Sequence, residues 1–174
     1  KAFSATASSS LPEVWATGHG HLDIGWLWPV SVAVGKAART FSSQIALLEK
    51  YPEYIFGASQ AYLYKIIKEN YPELYAKIQK AVSEGRWEIQ GGMWVEADGN
   101  LISGESMVRQ FLHGKNFFMD EFGFDVKNLW LPDVFGYSAA MPQIIKKSGC
   151  DYFLTQKLSW SQINTFPHNT FLWQ

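Results

Sequence analysis

His19, His21 and Asp23 stand at alternate positions, so in an extended segment all three side chains point to one face. Imidazole and carboxylate two residues apart can grip one divalent cation, and zinc suits that donor set. Alone the pattern is weak, because a histidine bonded to a neighbouring turn aspartate has the same spacing. Trp26 and Trp28 follow closely enough to form the floor of a sugar subsite, although Trp28, beside Pro29, reads better as core packing. Asp133 lies in the run Trp130-Leu131-Pro132-Asp133-Val134-Phe135-Gly136-Tyr137-Ser138. Its apolar and aromatic neighbours supply the fixed position and low-water surrounding that a nucleophilic carboxylate needs.

Elements able to position these groups alternate along the chain. Val14 to Gly18 reads as a first, buried strand, and Val34, Ala37, Ala38, Phe41, Ile45 and Leu48 then recur at helical spacing. Tyr54 to Ala58 reads as a second strand. Tyr62, Ile66 and Ile67 begin a helix that Pro72 breaks and restarts, and Leu74, Ile78 and Val82 carry the new stripe to Gly85. Trp87 to Gln90 is a third strand. Ser103 then caps a helix whose face is Val108, Phe111, Leu112 and Phe118, ended by Gly123. Leu129 to Leu131 is a fourth strand, Ser138 caps a short helix carrying Met141, Ile144 and Ile145, and Tyr152 to Leu154 is a fifth strand. Thr170 to Trp173 begins a sixth.

Strands alternating with helices predict an α/β fold with parallel strands and right-handed crossovers, in an open or barrel-closed sheet. Ligands in such folds sit beyond the carboxyl ends of the strands. There the sequence places His19, His21 and Asp23, then Gln60, then Trp94, Glu96 and Asp98, then Asp133, then Gln156. A lone aspartate after a strand is usually a cap or turn residue. Polar groups after five successive strands point instead to a shared site, with His19, Trp26, Glu96 and Asp98 as candidate substrate contacts.

Composition narrows the class. The chain has 174 residues and a net charge of -1, which gives no electrostatic footprint for nucleic acid or an anionic membrane. No stretch is apolar enough to span a bilayer. Eight Trp, eight Tyr and twelve Phe suit either an aromatic core or a carbohydrate site. Cys150 is the single cysteine, which leans towards a reducing, cytoplasmic compartment. Residues 1–12 read as a flexible lead-in and 13–174 as one partial catalytic domain. An eight-fold barrel needs roughly 250 residues, and the last strand has no helix after it, so a longer chain is expected. An open sheet edge would favour a homo-oligomer.

Five ordered segments resemble glycoside hydrolase family 38, the alpha-mannosidases. They are Gly18-His-Gly-His-Leu-Asp-Ile-Gly-Trp-Leu-Trp-Pro29, Gly91-Gly-Met-Trp-Val-Glu-Ala-Asp-Gly-Asn100, Ser103-Gly-Glu-Ser-Met-Val-Arg-Gln-Phe111, Leu131-Pro-Asp-Val-Phe-Gly-Tyr-Ser138 and Leu154-Thr-Gln-Lys-Leu-Ser-Trp160. The wording is most similar to the cytosolic and vacuolar type and its bacterial relatives. The resemblance implies the first part of a seven-stranded β/α barrel, one bound zinc or cobalt, and retaining hydrolysis of terminal alpha-mannosidic bonds in oligosaccharides. It implies His21, Asp23 and Asp133 as metal ligands, Asp133 also as nucleophile, and Trp26 as the ring that stacks on mannose. A fourth ligand and the general acid are implied further along the chain, which leaves this piece alone inactive. The alternatives are a metal-dependent polysaccharide deacetylase, expected to carry a His-x-x-x-His pair that this sequence lacks, and a non-catalytic carbohydrate-binding protein.

Overall fold

A computed structural model of the chain describes residues 13–174, so the expected lead-in over 1–12 lies outside the described residues. Strands and helices alternate: β1 (Gly18–His19), α1 (Val30–Lys50), β2 (Phe56–Ala58), α2 (Ala61–Asn70), α3 (Pro72–Ser83), β3 (Trp87–Ile89), α4 (Gly104–Phe122), β4 (Asn128–Leu131), α5 (Met141–Lys147) and β5 (Tyr152–Thr155). A 3-10 turn over Lys157–Trp160 follows β5. All pairings are parallel, β1 with β2, β2 with β3, and β4 with β5. Between β3 and β4 there is no ladder. Gly91, at φ 65°, turns the chain out of β3, and its N–H donates to Asn128 Oδ1 (2.6 Å) while that of Gly92 donates to Asn128 O (3.0 Å). The two ladders are thereby stitched edge to edge, and the strand ends share one side.

The hydrophobic stripes decide how helices cover these ladders. Helix α1 buries Ala33, Ala37, Phe41, Ile45 and Leu48, a face at helical spacing. Phe41, Phe56, Tyr64, Ile67, Ile78, Trp87 and Phe118 form the larger core around it. Trp87 and Tyr64 keep their polar atoms satisfied there: Trp87 Nε1 donates to Tyr64 Oη (2.9 Å), which donates to Ala58 O (2.9 Å). Pro72 sits in the first turn of α3, where a missing N–H costs nothing. Ser103 caps α4, accepting from Ser106 N, and Gly123 ends it in the left-handed region. A smaller core under β4 and β5 contains Met107, Phe111, Leu129, Leu131, Met141 and Ile145.

Four expectations need correction. Pairing in β1 starts only at Gly18, and Val14 and Trp15 are exposed rather than buried. Helix α4 buries Met107, Phe111, Gly114 and Phe118, while Val108 and Leu112 face solvent. Its rotation is set by Gly114, whose bare backbone lies against Gly92, Met93 and Trp94. Ser138 does not cap α5: its Oγ accepts from Ala140 N in the preceding turn, and Ala140 holds the cap position. Residues 170–173 form no strand, since no neighbouring strand among the described residues pairs with them.

Candidate metal and sugar site

Ladder pairing of β1 ends at His19, and beyond it His21 and Asp23 converge, with Asp23 Oδ1 at 3.1 Å from His21 Nε2. Asp133, two residues past β4, brings Oδ2 to 3.5 Å from the same nitrogen. One donor atom from each of His21, Asp23 and Asp133 lies within 4.8 Å of the others. Two near neighbours in sequence, His21 and Asp23, are thus joined by the distant Asp133 at the carboxyl ends of two strands.

Glu96 stands behind this cluster. Its side chain is only 4% exposed, Ser59 Oγ donates to its Oε1 (2.6 Å), and its Oε2 is 2.9 Å from His21 Nδ1. Those last two buried atoms are close but out of alignment, so neither completes a hydrogen bond. Burial disfavours a charged ring at His21, but the carboxylates of Glu96 and Asp23 outweigh it and raise its pKa to about 9. The negative field that favours a proton there also favours a metal cation. Asp23, Asp133 and Glu96 crowd one imidazole, and among the described residues Lys157 is the lysine paired to them, so the donor set fits a bound divalent ion.

Lys157 was not legible as a site residue. Strand β5 runs to Thr155, and the 3-10 turn after it folds Lys157 inward. Its side chain, 4% exposed, pairs with Asp133 Oδ1 and lies 3.2 Å above the centre of the Trp160 ring. Gln156, expected at this strand end, instead donates to Ser159 Oγ and closes the turn. A cavity of about 650 Å³ opens beside Lys157, lined by Phe135, Tyr137, Trp160 and Phe166.

The other candidates divide. Trp26 is 63% exposed and meets Trp28 edge-on at 5.2 Å, leaving ring surface open to a ligand. Trp28 donates to Asp23 O (3.2 Å) and so braces the loop that carries Asp23. Both ring nitrogens of His19 are engaged: Nδ1 donates to Gly57 O (2.9 Å) and Nε2 accepts from Trp130 Nε1 (3.1 Å). Burial lowers its pKa, and this neutral, saturated ring has no nitrogen left for substrate. Asp98 Oδ1 accepts from Asn100 N (2.8 Å) against Gly136, the geometry of a turn residue. Buried Gln60, at φ 65°, donates to Leu22 O (2.8 Å) and accepts from Glu96 N (3.1 Å), tying the two site loops together. Trp94 packs on Tyr62 and Phe117 and belongs to the core.

Comparison with known proteins places this arrangement. Residues 12–174 match the description "Glycosyl hydrolases family 38 N-terminal domain". Alpha-mannosidase G of Dictyostelium discoideum is 51% identical over 172 residues, covering 99% of this chain and 16% of that protein. Human Alpha-mannosidase 2C1 is 50% identical over 172 residues, with 99% and 16% covered. The Saccharomyces cerevisiae Alpha-mannosidase is 46% identical over 174 residues, with 99% and 16% covered. The chain spans about a sixth of the length of these relatives. The crystal structure of an alpha-mannosidase from Enterococcus faecalis V583 superposes with a TM-score of 0.73 at 26% identity, covering 80% of this chain and 16% of that one. The chain belongs to glycosyl hydrolase family 38, within that family's N-terminal domain.

Proposed function

We propose that this chain is part of a retaining alpha-mannosidase that hydrolyses terminal alpha-mannosidic bonds in mannose-containing oligosaccharides. The observation that carries the reading is the convergence of His21, Asp23 and Asp133 within 4.8 Å in a family 38 domain. Those three side chains would hold one divalent cation, zinc by the chemistry of the donors, which when bound would supply Lewis acidity towards sugar hydroxyls. Residues 13–174 act as one part of the catalytic domain, the opening portion of a seven-stranded barrel.

Asp133 is the nucleophile: its carboxylate oxygen forms an ester bond to the anomeric carbon as the bond to the leaving oxygen breaks. That oxygen departs with a proton from a general acid, and water then cleaves the ester with retention. Lys157 holds Asp133 Oδ1 and fixes the carboxylate plane. The exposed face of Trp26 stacks on the mannose ring, as aromatic surfaces do on apolar sugar faces. A polysaccharide deacetylase would be expected to carry a His-x-x-x-His pair, a spacing that this sequence lacks. No helix among the described residues is long and apolar enough to cross a membrane. A cytoplasmic setting suits the free, buried Cys150.

The test is turnover of an aryl alpha-mannoside by the full-length protein before and after chelation, with the product anomer read by NMR. Metal-dependent release of alpha-mannose as first product supports the reading. Turnover that survives complete metal removal, or release of the inverted anomer, overturns it.

A further inference from the structure

We infer that Glu96 is a positioning residue that orients His21 as a metal ligand, rather than a contact for the substrate. The inference rests on the reading of His21 as a ligand in the proposed function. A carboxylate this deeply buried has to be matched by donors. Ser59 Oγ takes Oε1, and the main chain of Glu96 is fixed by Gln60 Oε1. That leaves Oε2, whose one near neighbour of opposite character is His21 Nδ1 at 2.9 Å. On the far side of the ring, Nε2 faces Asp23 and Asp133.

With a cation shared between Nε2 and the two aspartates, the Glu96 carboxylate behind the ring favours one tautomer. A hydrogen on Nδ1 points at Glu96 and turns the Nε2 lone pair towards the two aspartates, the form a metal requires. An aligned Nδ1–H to Oε2 bond would satisfy both buried atoms that lack a partner, and they already stand 2.9 Å apart. A carboxylate behind a metal-bound imidazole fixes its orientation and raises its basicity. Glu96 is also badly placed to meet a sugar, since it is buried with Ser59 on one oxygen and His21 beside the other. Gln60 completes the device by linking Glu96 N to Leu22 O, next to His21, so the two loops move as one unit.

The experiment uses the full-length protein with Glu96→Gln, Glu96→Ala and Ser59→Ala. Zinc dissociation constants are measured by chelator competition, visible spectra with cobalt in place of zinc, and KM for an aryl alpha-mannoside at saturating zinc. Glu96→Ala should weaken zinc binding about 10- to 100-fold, with Glu96→Gln and Ser59→Ala weaker in the same direction. The cobalt bands should shift in both Glu96 variants, with KM at saturating zinc unchanged. Parental zinc affinity in Glu96→Gln and Ser59→Ala overturns the inference even if Glu96→Ala fails to fold. A raised KM with unchanged zinc affinity also overturns it and makes Glu96 a substrate contact. A parent protein that loses zinc with Asp23→Ala yet cleaves no mannoside defeats the proposed function while leaving this inference standing. Zinc that survives Asp23→Ala sinks the metal reading and this inference together.

Discussion

Gly114→Ala tests how the scaffold holds the site loop. A Cβ at this position would stand 2.5 Å from Met93 C, 2.8 Å from Trp94 N, and closer still to Gly92 O. Ordinary contact between such atoms is about 3.5 Å, so helix and loop must separate by roughly 1 Å. All three opposing atoms are main chain, and no rotamer change relieves them. Overpacking of this kind costs about 1–3 kcal/mol, and rigid partners argue for the upper end. Alanine returns about 1 kcal/mol through better helix propensity. The net loss is therefore about 2 kcal/mol, roughly a 30-fold fall in the folded-to-unfolded ratio. Gly104→Ala is the matched control, because a Cβ there meets nothing within 4 Å in the first turn of the same helix. Urea unfolding of the full-length protein, followed by tryptophan fluorescence, should give a lower midpoint for Gly114→Ala than for the parent, and none lower for Gly104→Ala. The displaced 92–94 segment also leads to Glu96, so zinc affinity should fall in the first variant alone. Equal midpoints for the two variants would refute the packing of α4 on this loop.

Two further outcomes follow from the site. Trp26→Ala removes the exposed ring and should raise KM for an aryl alpha-mannoside up to about 10-fold, at the stacking energies aromatic faces supply, with zinc affinity unchanged. An unchanged KM would remove Trp26 from the sugar site. Lys157→Met deletes the cation on Asp133 Oδ1 and should lower kcat by about 10-fold or more, since charge-assisted bonds contribute about 1.5–3 kcal/mol. Lys157→Arg should restore most of that loss, and a kcat in Lys157→Met equal to the parent's would show the pair to be idle.

Strand-end reading put His21, Asp23 and Asp133 among several polar residues at one end of the sheet, and the resemblance to family 38 singled out these three. The same rule failed at β5, where one more residue of strand and a 3-10 turn bring Lys157 inward instead of Gln156. Face-counting grouped His19 with His21, but β1 is two residues long and His19, its last residue, is held by Gly57 O and Trp130 Nε1. The stripe on α4 was displaced because Gly114 was not counted among its packing residues, although a helix approaches a backbone most closely through glycine. Residues 170–173 have strand composition, but composition supplies no partner, and pairing is what makes a strand.

The most direct test of the account is the identity of the residue that carries the sugar during turnover. The full-length zinc-loaded protein is treated with a fluorinated alpha-mannosyl fluoride, in which the good leaving group speeds formation of the glycosyl-enzyme and the electron-poor ring slows its hydrolysis. Peptide mapping by mass spectrometry should find one mannosyl ester, on Asp133, and none in Asp133→Asn. An ester on any other residue, or equal labelling of Asp133→Asn, would contradict the mechanism built on this site.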